Sequence, residues 1–517
     1  MSATDARNMN RANRHKPFHP HARPAVFLDR DGTLIEDRGG LRDPADVVFF
    51  PDTFDALRKL QRVAELFIVT NQSGIARGLL TTDEADRVNR QTVERLAAEG
   101  IHIRAVYTCP HQREDGCDCI KPEPAFALQA AADFNISPEY SFTIGDHPHD
   151  VVFAHRFGGK GIYVLTGHGQ KHLSELGRRD GVAATLGEAV AQIRGLIVEP
   201  PRNYIGASSA AALIRDGGVV AIPTETVYGM AANALDEQAV QQVFAIKQRP
   251  ALDPLIVHLA DADGLDTVAA EVPAAARTLA AAFWPGPLTL VLPKQRCIPD
   301  LVTARLATVA VRVPVHPLAR RIIRAAGCPV AAPSANRFST ISPTCARHVH
   351  AQFGDALAGI VDGGPCAVGV ESTILGFWDD RVWLLRPGGI PLEAIEACIG
   401  PVTPYRKTGP DDIRAPGSLP RHYAPSTPLV LLEADAPLAP APGTGQIVFG
   451  PDAPASGDHI ENLSPTGDPG EAAARLYAAL RRLDAAGLDR ITARRLPDTG
   501  LGRTINDRLQ RAATDKD

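Results

Sequence analysis

Two carboxylates stand two residues apart in the segment Asp29-Arg30-Asp31-Gly32-Thr33, directly after a short apolar run. A hydroxyl, an amine and two more carboxylates follow near predicted strand ends or loops, namely Thr70, Lys121, Asp146 and Asp150. Phosphoryl transfer through an aspartyl intermediate needs a carboxylate nucleophile, an acid for the leaving group, phosphate-binding groups and acids that hold Mg²⁺. The residues therefore predict a magnesium-dependent phosphatase site.

Three cysteines and a histidine are crowded into one short segment, as Cys109, His111, Cys117 and Cys119. Three thiolates and one imidazole form a ligand set that tetrahedral Zn²⁺ favours. The other five cysteines are scattered through apolar surroundings, where buried reduced thiols are expected: Cys297, Cys328, Cys345, Cys366 and Cys398. The cysteines thus predict one zinc loop and no disulfide scaffold.

A second group of polar residues begins after another apolar run. Hydroxyls and cations recur there at predicted strand and helix ends: Thr224, Thr226, Tyr228, Lys247, Arg249, Ser334, Asn336, Ser372 and Arg386. Cations combined with hydroxyls suit a phosphate and an amino acid. Because no Walker A motif is present, the residues alone indicate only an α/β domain that binds anions.

The elements that must position these residues alternate between strands and helices. Short apolar runs at 25–28, 66–69, 105–107, 141–144 and 161–165 predict strands, and 82–98 predicts a long amphipathic helix. Such alternation is typical of a doubly wound parallel sheet, which binds ligands at the carboxyl ends of its strands. A second α/β unit with a twisted open sheet follows, and a small α/β domain ends the chain.

The chain is 517 residues long, enough for about three domains. We expect a disordered basic tail at 1–23, domains at 24–190, 203–400 and 427–514, and a linker at 401–426. The net charge of −5 excludes a chain-wide basic surface for nucleic acid. The amino-terminal residues lack the apolar core of a targeting peptide, so a cytoplasmic location is expected.

The first set of motifs resembles the haloacid dehalogenase (HAD) phosphatases. The segments 29–33, 70–78 and Cys109-Pro110-His111 are similar to the D-glycero-D-manno-heptose 1,7-bisphosphate and histidinol-phosphate phosphatases within them. The resemblance implies that Asp29 is the nucleophile, Asp31 the general acid and base, and that Thr70 and Lys121 hold the phosphate. It also implies Mg²⁺ held by Asp29, the Asp31 carbonyl and Asp146, and structural Zn²⁺ in the cysteine loop.

Two positions depart from this phosphatase pattern. Ile120 stands where the family usually has arginine, and His147 stands where a heptose phosphatase typically has lysine. Both changes remove or weaken a cation near the phosphate. The expected substrate is a sugar phosphate or bisphosphate, with histidinol phosphate or another small phosphate ester as the alternative.

The second set of motifs resembles the YrdC/Sua5 family of L-threonylcarbamoyladenylate synthases. The resemblance extends to segments 284–289 and 362–365 and to the linker segments 415–417 and 422–425. The family joins L-threonine, bicarbonate and ATP, releases pyrophosphate, and supplies the N6-threonylcarbamoyladenosine (t6A) modification of tRNA. The expected partners are therefore these substrates, tRNA and the t6A transferase machinery, with no membrane.

The resemblance to YrdC/Sua5 also implies the roles of individual residues. The nucleotide would be bound by Lys247, Arg249, Ser334, Asn336, Arg386 and Tyr423. The threonine and bicarbonate pocket would be formed by Thr224, Thr226, Tyr228, His258, Arg312 and Ser372. Asp253 departs from the family, which commonly has asparagine there.

Two other functions are compatible with the same residues. The first domain could be a non-catalytic interaction module, and the second could only bind double-stranded RNA. The complete set of acids in the first domain and the net acidity of the chain favour two enzymes, which is the function that we predict.

Overall fold

The computed structural model describes residues 23–177, 180–198, 200–407, 409, 412, 414–417, 422–436, 441–453, 456–457 and 459–513. The predicted basic tail lies outside the described residues, except for Arg23, and so does part of the predicted linker. No helix within the described ranges is both long and apolar enough to cross a bilayer. Three separate β-sheets organise the described part of the chain.

The first sheet has six strands, and all of its pairings are parallel. From edge to edge the strands are Ile103–Cys109, Glu65–Asn71, Ala25–Leu28, Phe142–Gly145, Lys160–Val164 and Gly181–Ala183. The strand order reverses between Ala25–Leu28 and Phe142–Gly145, which are neighbours. In open α/β sheets this reversal opens a crevice beyond the carboxyl ends of the two strands.

Helices connect the strands of the first sheet: Thr53–Leu60, Thr82–Ala98, Ala125–Asp133, Pro148–Arg156, Gly169–His172 and Leu186–Leu196. The longest one, Thr82–Ala98, has the bounds that the sequence predicts. It begins at a capping box in which the Thr81 hydroxyl accepts from the Glu84 amide and Glu84 accepts from the Thr81 amide. Its apolar residues Val88 and Leu96 are buried against the sheet.

The second sheet has ten strands with mixed directions. In spatial order they are Gly359–Ile360, Val220–Ile222, Gly229–Asn233, Val330–Ala331, Ile256–His258, Thr308–Arg312, Leu288–Pro293, Thr373–Trp378, Arg381–Arg386 and Thr403–Pro404. Its helices are Ala207–Arg215, Glu237–Lys247, Leu265–Val268, Ala274–Phe283, Pro317–Ala326, Ala346–Phe353 and Leu392–Ile399. The predicted α/β class is confirmed.

The third sheet has five strands, in the order Leu429–Leu432, Arg490–Arg494, Thr444–Val448, Ile460–Asn462 and Ser456–Gly457. The helices Pro469–Asp484 and Gly500–Ala512 belong to the same unit. Their buried leucines and alanines share an apolar cluster with Val227 and Tyr423 of the preceding unit. The second and third units are therefore packed together through a common core.

All eight cysteines are free thiols, but the five scattered ones are not uniformly buried. Cys366 is buried, whereas Cys328, Cys345 and Cys398 are partly exposed. Cys297 is exposed, so the prediction of burial is wrong for it. Its apolar sequence neighbours lie in a turn after strand Leu288–Pro293 and not on the inner face of an element.

Candidate active sites

Three carboxylates meet at the crevice of the first sheet. Asp29 follows strand Ala25–Leu28, and Asp146 and Asp150 follow the neighbouring strand Phe142–Gly145. One oxygen from each of the three carboxylates lies within 4.8 Å of the others. This cluster fits a hard divalent cation such as Mg²⁺, which prefers carboxylate oxygens. Asp150, which the sequence names as a further carboxylate near the site, completes this cluster of side chains.

Lys121 joins this carboxylate cluster from a separate loop. Its ammonium group lies 2.5 Å from Asp29 Oδ1 and 2.6 Å from Asp150 Oδ1, and it donates to the Val69 carbonyl at 3.0 Å. Burial lowers the pKa of Lys121, but Asp150 and Asp29 outweigh burial and hold that pKa above its ordinary value. The lysine is therefore a fixed positive charge beside Asp29.

Burial raises the pKa of Asp29 well above its ordinary value, against the opposing effect of Lys121. Burial also raises the pKa of Asp146 to about 6. These carboxylates are close together and desolvated, which disfavours their ionised forms. A divalent cation among them would reverse that effect, because a bound ion is the largest local charge in such a site.

Asp31 is held apart from the cluster by two neighbours. Arg30, which is buried, lies 2.8 Å from Asp31 Oδ2 through Nη2, and Gln72 Nε2 donates to the same oxygen at 2.8 Å. Gln72 also donates to the Thr70 hydroxyl at 2.9 Å. One amide thus fixes both the second carboxylate and the hydroxyl of the predicted site.

The cluster opens into the first cavity, of about 1100 Å³, which also contains Asp31, Thr70 and Lys121. His147, which the sequence places near the phosphate, and His149, to which it gives no role, both line this cavity. Their rings are stacked with centroids 4.3 Å apart. Proximity to Asp146 along the chain is the signal that could have identified them. Further cations on the cavity wall are Arg42, Arg77 and Arg113.

The four zinc-ligand candidates converge beside the first cavity. Cys109 Sγ lies 3.2 Å from Cys119 Sγ and 3.7 Å from Cys117 Sγ, and His111 Nδ1 lies 3.4 Å from Cys119 Sγ. Tetrahedral Zn²⁺ with Zn–S bonds of about 2.3 Å separates its sulfurs by about 3.8 Å. The spacing therefore fits a single zinc ion.

The second cavity is a narrow space of about 50 Å³ within the second unit. Most of the residues predicted for the second site line it: Thr224, Thr226, Arg249, His258, Arg312, Ser334, Ser372, Arg386 and Tyr423. They come from several strand ends and loops and from the linker. The structure thus brings together residues that are about 200 positions apart in the chain.

Three predicted residues do not line the second cavity. Lys247 is buried behind it and donates to the carbonyls of Ser334 and of Asn336, the latter at 2.6 Å. The Asn336 side chain donates to the Thr340 carbonyl at 2.8 Å. The Tyr228 hydroxyl donates to the Gly364 carbonyl at 2.7 Å. These three side chains hold the walls in place.

The basic side chains in and behind the second cavity are strongly desolvated. Burial and the neighbouring Arg249 hold the pKa of Lys247 well below its ordinary value. Burial, together with Arg312, lowers the pKa of His258 to about 3. Since an added anion would favour the charged forms, the electrostatics of the cavity suit a negatively charged ligand.

Linker residues cover one side of the second cavity. Pro416, Gly417, His422 and Tyr423 line it. The Gly417 amide donates to Asp253 Oδ1 at 3.1 Å, and Asp253 Oδ2 lies 2.8 Å from Arg249. Asp253 therefore connects the cover to a cation of the cavity.

Two buried ion pairs beside the second cavity are absent from the predicted site. Arg312 Nη2 lies 2.5 Å from Glu225 Oε1, so its charge is already paired. Glu371 accepts hydrogen bonds from Arg508 Nε at 2.6 Å and from the Tyr477 hydroxyl at 2.9 Å. Arg508 and Tyr477 lie in the third unit, far along the chain, and no local motif marks them.

Family models match most of the second and third units. A model described as "Telomere recombination" covers residues 212–388, and one described as "Threonylcarbamoyl-AMP synthase, C-terminal domain" covers 390–514. A HAD-hydrolase-like model covers residues 118–189 of the first unit.

Curated relatives divide between the two parts of the chain. A threonylcarbamoyl-AMP synthase of Pyrococcus abyssi is 43% identical over 59% of this chain and 93% of the relative. A D-glycero-beta-D-manno-heptose-1,7-bisphosphate 7-phosphatase of Pasteurella multocida is 35% identical over 33% of this chain and 97% of the relative.

A solved structure also matches the synthase-like part. The crystal structure of P. abyssi Sua5 complexed with L-threonine is 41% identical, with a TM-score of 0.55, and the match covers 59% of this chain and 94% of that one.

Proposed function

Because the chain belongs to the threonylcarbamoyl-AMP synthase family and, in its amino-terminal part, to the heptose bisphosphate phosphatase family, we propose a bifunctional enzyme. One active site makes L-threonylcarbamoyl-AMP, and the other hydrolyses a phosphate ester. The domains of this enzyme are residues 24–190, 203–400 and 427–514, joined by the linker 401–426. The observation that carries the proposal is the presence of two separate cavities, each lined by most of one of the two predicted residue sets.

In the synthase site, the nucleotide phosphates bind to Arg249, Ser334 and Arg386, with Tyr423 closing over them. Lys247 and Asn336 support this wall through the bonds described above. A buried guanidinium is well suited to phosphate, because it stays charged and donates in a fixed fork. The desolvation of these cations makes their interaction with a polyphosphate stronger than it would be in water.

The opposite wall binds threonine and bicarbonate. It contains Thr224, Thr226, His258 and Ser372, and Arg312 donates to the Thr226 hydroxyl at 2.8 Å. The threonine amine attacks the carbon of bicarbonate with loss of water, or the carbon of CO₂ with loss of a proton, and forms a carbamate. A carbamate oxygen then attacks the α-phosphorus of ATP, and pyrophosphate leaves with its charge held by the cations.

Release of pyrophosphate from ATP tests the synthase activity. We expect release only when both L-threonine and bicarbonate are present, since threonine supplies the nitrogen of the carbamate and bicarbonate supplies its carbon. Omitting either substrate is the matched control. Pyrophosphate release that never appears with both substrates supplied would reject this half of the proposal.

In the phosphatase site, Asp29 is the nucleophile and forms the aspartyl-phosphate. Asp31 lies on the same loop and gives a proton to the leaving oxygen, and then takes one from the attacking water. Thr70 and Lys121 bind the transferring phosphoryl group. The arginines of the first cavity support a sugar phosphate or bisphosphate as the substrate class, because they suit a second anionic group.

Metal ions complete the phosphatase domain in this proposal. Asp29, Asp146 and Asp150 would hold Mg²⁺, with the Asp31 carbonyl as a further ligand, and the ion would supply charge stabilisation for the phosphoryl group. Cys109, His111, Cys117 and Cys119 would hold structural Zn²⁺, which stabilises the loop that leads to Lys121.

Hydrolysis of a panel of sugar bisphosphates, histidinol phosphate and nucleotides tests the phosphatase activity. We expect Mg²⁺-dependent turnover of at least one of them, and its loss in Asp29→Asn, which keeps the size of the side chain. A panel without any turnover would instead favour a non-catalytic module.

The t6A machinery that modifies tRNA is the proposed consumer of the synthase product.

A further inference from the structure

The phosphatase and synthase domains share one apolar core. Helix Ala125–Asp133 packs on helix Pro317–Ala326 of the synthase domain. The buried face of the first helix is formed by small residues, Ala127, Ala130 and Ala131, which allow a close approach to Leu318 and Ile322. A shared core of this kind indicates a fixed arrangement and not two domains on a tether.

Polar contacts continue the interface beyond the apolar core. Arg347 Nε lies 2.9 Å from Glu139 Oε1, and the rings of Tyr140 and Tyr204 meet edge to face at 5.9 Å. Burial and the neighbouring Asp362 raise the pKa of Glu139 to about 7. The Glu139 carboxylate is therefore desolvated in this contact, whereas the Arg347 side chain stays largely exposed.

One synthase loop, residues 362–365, makes further contacts with the phosphatase domain. The Glu139 amide donates to Asp362 Oδ2 at 3.2 Å, while the Gly364 amide donates to Asp362 Oδ1 at 3.0 Å. A Cβ built on Gly158 would lie 2.9 Å from the Pro365 ring. The phosphatase domain thus holds this loop from outside.

On the side of the synthase active site, the same loop is hydrogen-bonded to Tyr228. The Tyr228 hydroxyl accepts from the Gly363 amide at 3.0 Å and donates to the Gly364 carbonyl. Tyr228 follows directly on the segment that places Thr224 and Thr226 in the second cavity. A shift of the loop would consequently move that wall.

We propose that the phosphatase domain is a positioning element of the synthase: through Glu139 and Gly158 it fixes loop 362–365, and through Tyr228 that loop fixes the threonine-binding wall. The inference rests on the proposed synthase function. Since the nucleotide-binding cations lie on other elements, the effect is specific to threonine and leaves ATP binding unchanged.

Gly158→Ala tests this role in the full chain, because its methyl group would press on Pro365. Gly158 has φ +88°, so Gly100→Ala is the matched control: Gly100 has φ +73°, but nothing lies within 4 Å of its added Cβ. We expect Gly158→Ala to raise the KM for threonine roughly three- to tenfold. The KM for ATP and the phosphatase turnover should match those of Gly100→Ala.

A second variant distinguishes the contact between residue 158 and Pro365 from a general defect of the Gly158→Ala protein. Adding Pro365→Ala to Gly158→Ala removes the ring atoms that the new methyl group meets, and should restore the KM for threonine. Equal threonine KM values in Gly158→Ala and Gly100→Ala, or no rescue in the double variant, would overturn the inference. Absence of threonine-dependent pyrophosphate release in the unaltered chain would instead overturn the proposed function.

Discussion

At the scale of single residues, His258 shows how burial sets charge in the synthase site. Its pKa is lowered to about 3 by burial and by the neighbouring Arg312. In the unfolded chain a histidine has a pKa of about 6.5. The unfolded state therefore binds the proton first as the pH falls, and the folded state loses stability below about pH 6.5.

We expect His258→Gln to flatten this acid dependence. Between pH 6.5 and 5, the wild-type free energy of unfolding should fall by about 2 kcal/mol more than that of the variant. Denaturant unfolding at the two pH values measures the difference. His102→Gln is the control, since His102 is exposed. If the free energy of unfolding fell equally between the two pH values in all three proteins, the neutral, buried state of His258 would be contradicted.

Sequence reasoning was effective for residues in local motifs at strand ends. Asp29, Lys121 and Asp146 could be placed because parallel strands deliver their carboxyl ends to one edge of the sheet. It was weaker for side chains whose direction depends on packing. Lys247 and Tyr228 point behind the second cavity, and their local motifs do not indicate this direction.

At the scale of elements, the last helix of the chain stabilises the synthase site. Arg508 of helix Gly500–Ala512 is fully buried, pairs with Glu371 and lies over the ring of Tyr423, 5.0 Å from its centroid. Burial opposes the ionised form of Glu371, but Arg508 and Arg386 together lower its pKa. The helix thus supplies the charge that keeps a buried carboxylate ionised.

Arg508→Ala should lower the free energy of unfolding by roughly 3–5 kcal/mol, because Glu371 would lose its main partner in the interior. Arg482→Ala is the control, since Arg482 is exposed where it pairs with Glu461 and this pair should contribute below about 1 kcal/mol. Denaturant titration at neutral pH compares the two. Similar losses in both variants would argue against a structural role for the buried pair.

The cysteine loop gives a second prediction at the scale of elements. We expect the purified protein to contain one zinc ion, and Cys117→Ser to lose it and to unfold at a lower temperature, because a structural zinc site stabilises its fold. Cys297→Ser should keep the metal, since Cys297 lies exposed and outside the cluster. Metal analysis and thermal unfolding measure both effects; zinc retained in Cys117→Ser would contradict the site.

The strands and helices themselves were largely predictable, since apolar runs and caps are local signals. The pairing of distant elements was not. Helix Ala125–Asp133 packs on Pro317–Ala326 through alanines, which leave little trace in hydrophobic periodicity. The union of the two domains in one core follows from tertiary packing that a single sequence does not display.

At the scale of the whole molecule, two chemistries occupy one chain at separate sites. The first cavity contains carboxylates suited to a metal ion and a phosphoryl group, and the second contains buried cations and hydroxyls suited to a nucleotide and an amino acid. The domains share a core, but none of the residues that the structure describes lines both cavities. Loss of one reaction by a change at its own reacting atoms should therefore leave the other intact.

The most direct measurement is pyrophosphate release by the Asp29→Asn protein. We expect this variant to hydrolyse no phosphate ester, yet to release pyrophosphate from ATP at the wild-type rate when L-threonine and bicarbonate are both supplied. Loss of both reactions together, or pyrophosphate release that does not require threonine, would contradict two independent active sites.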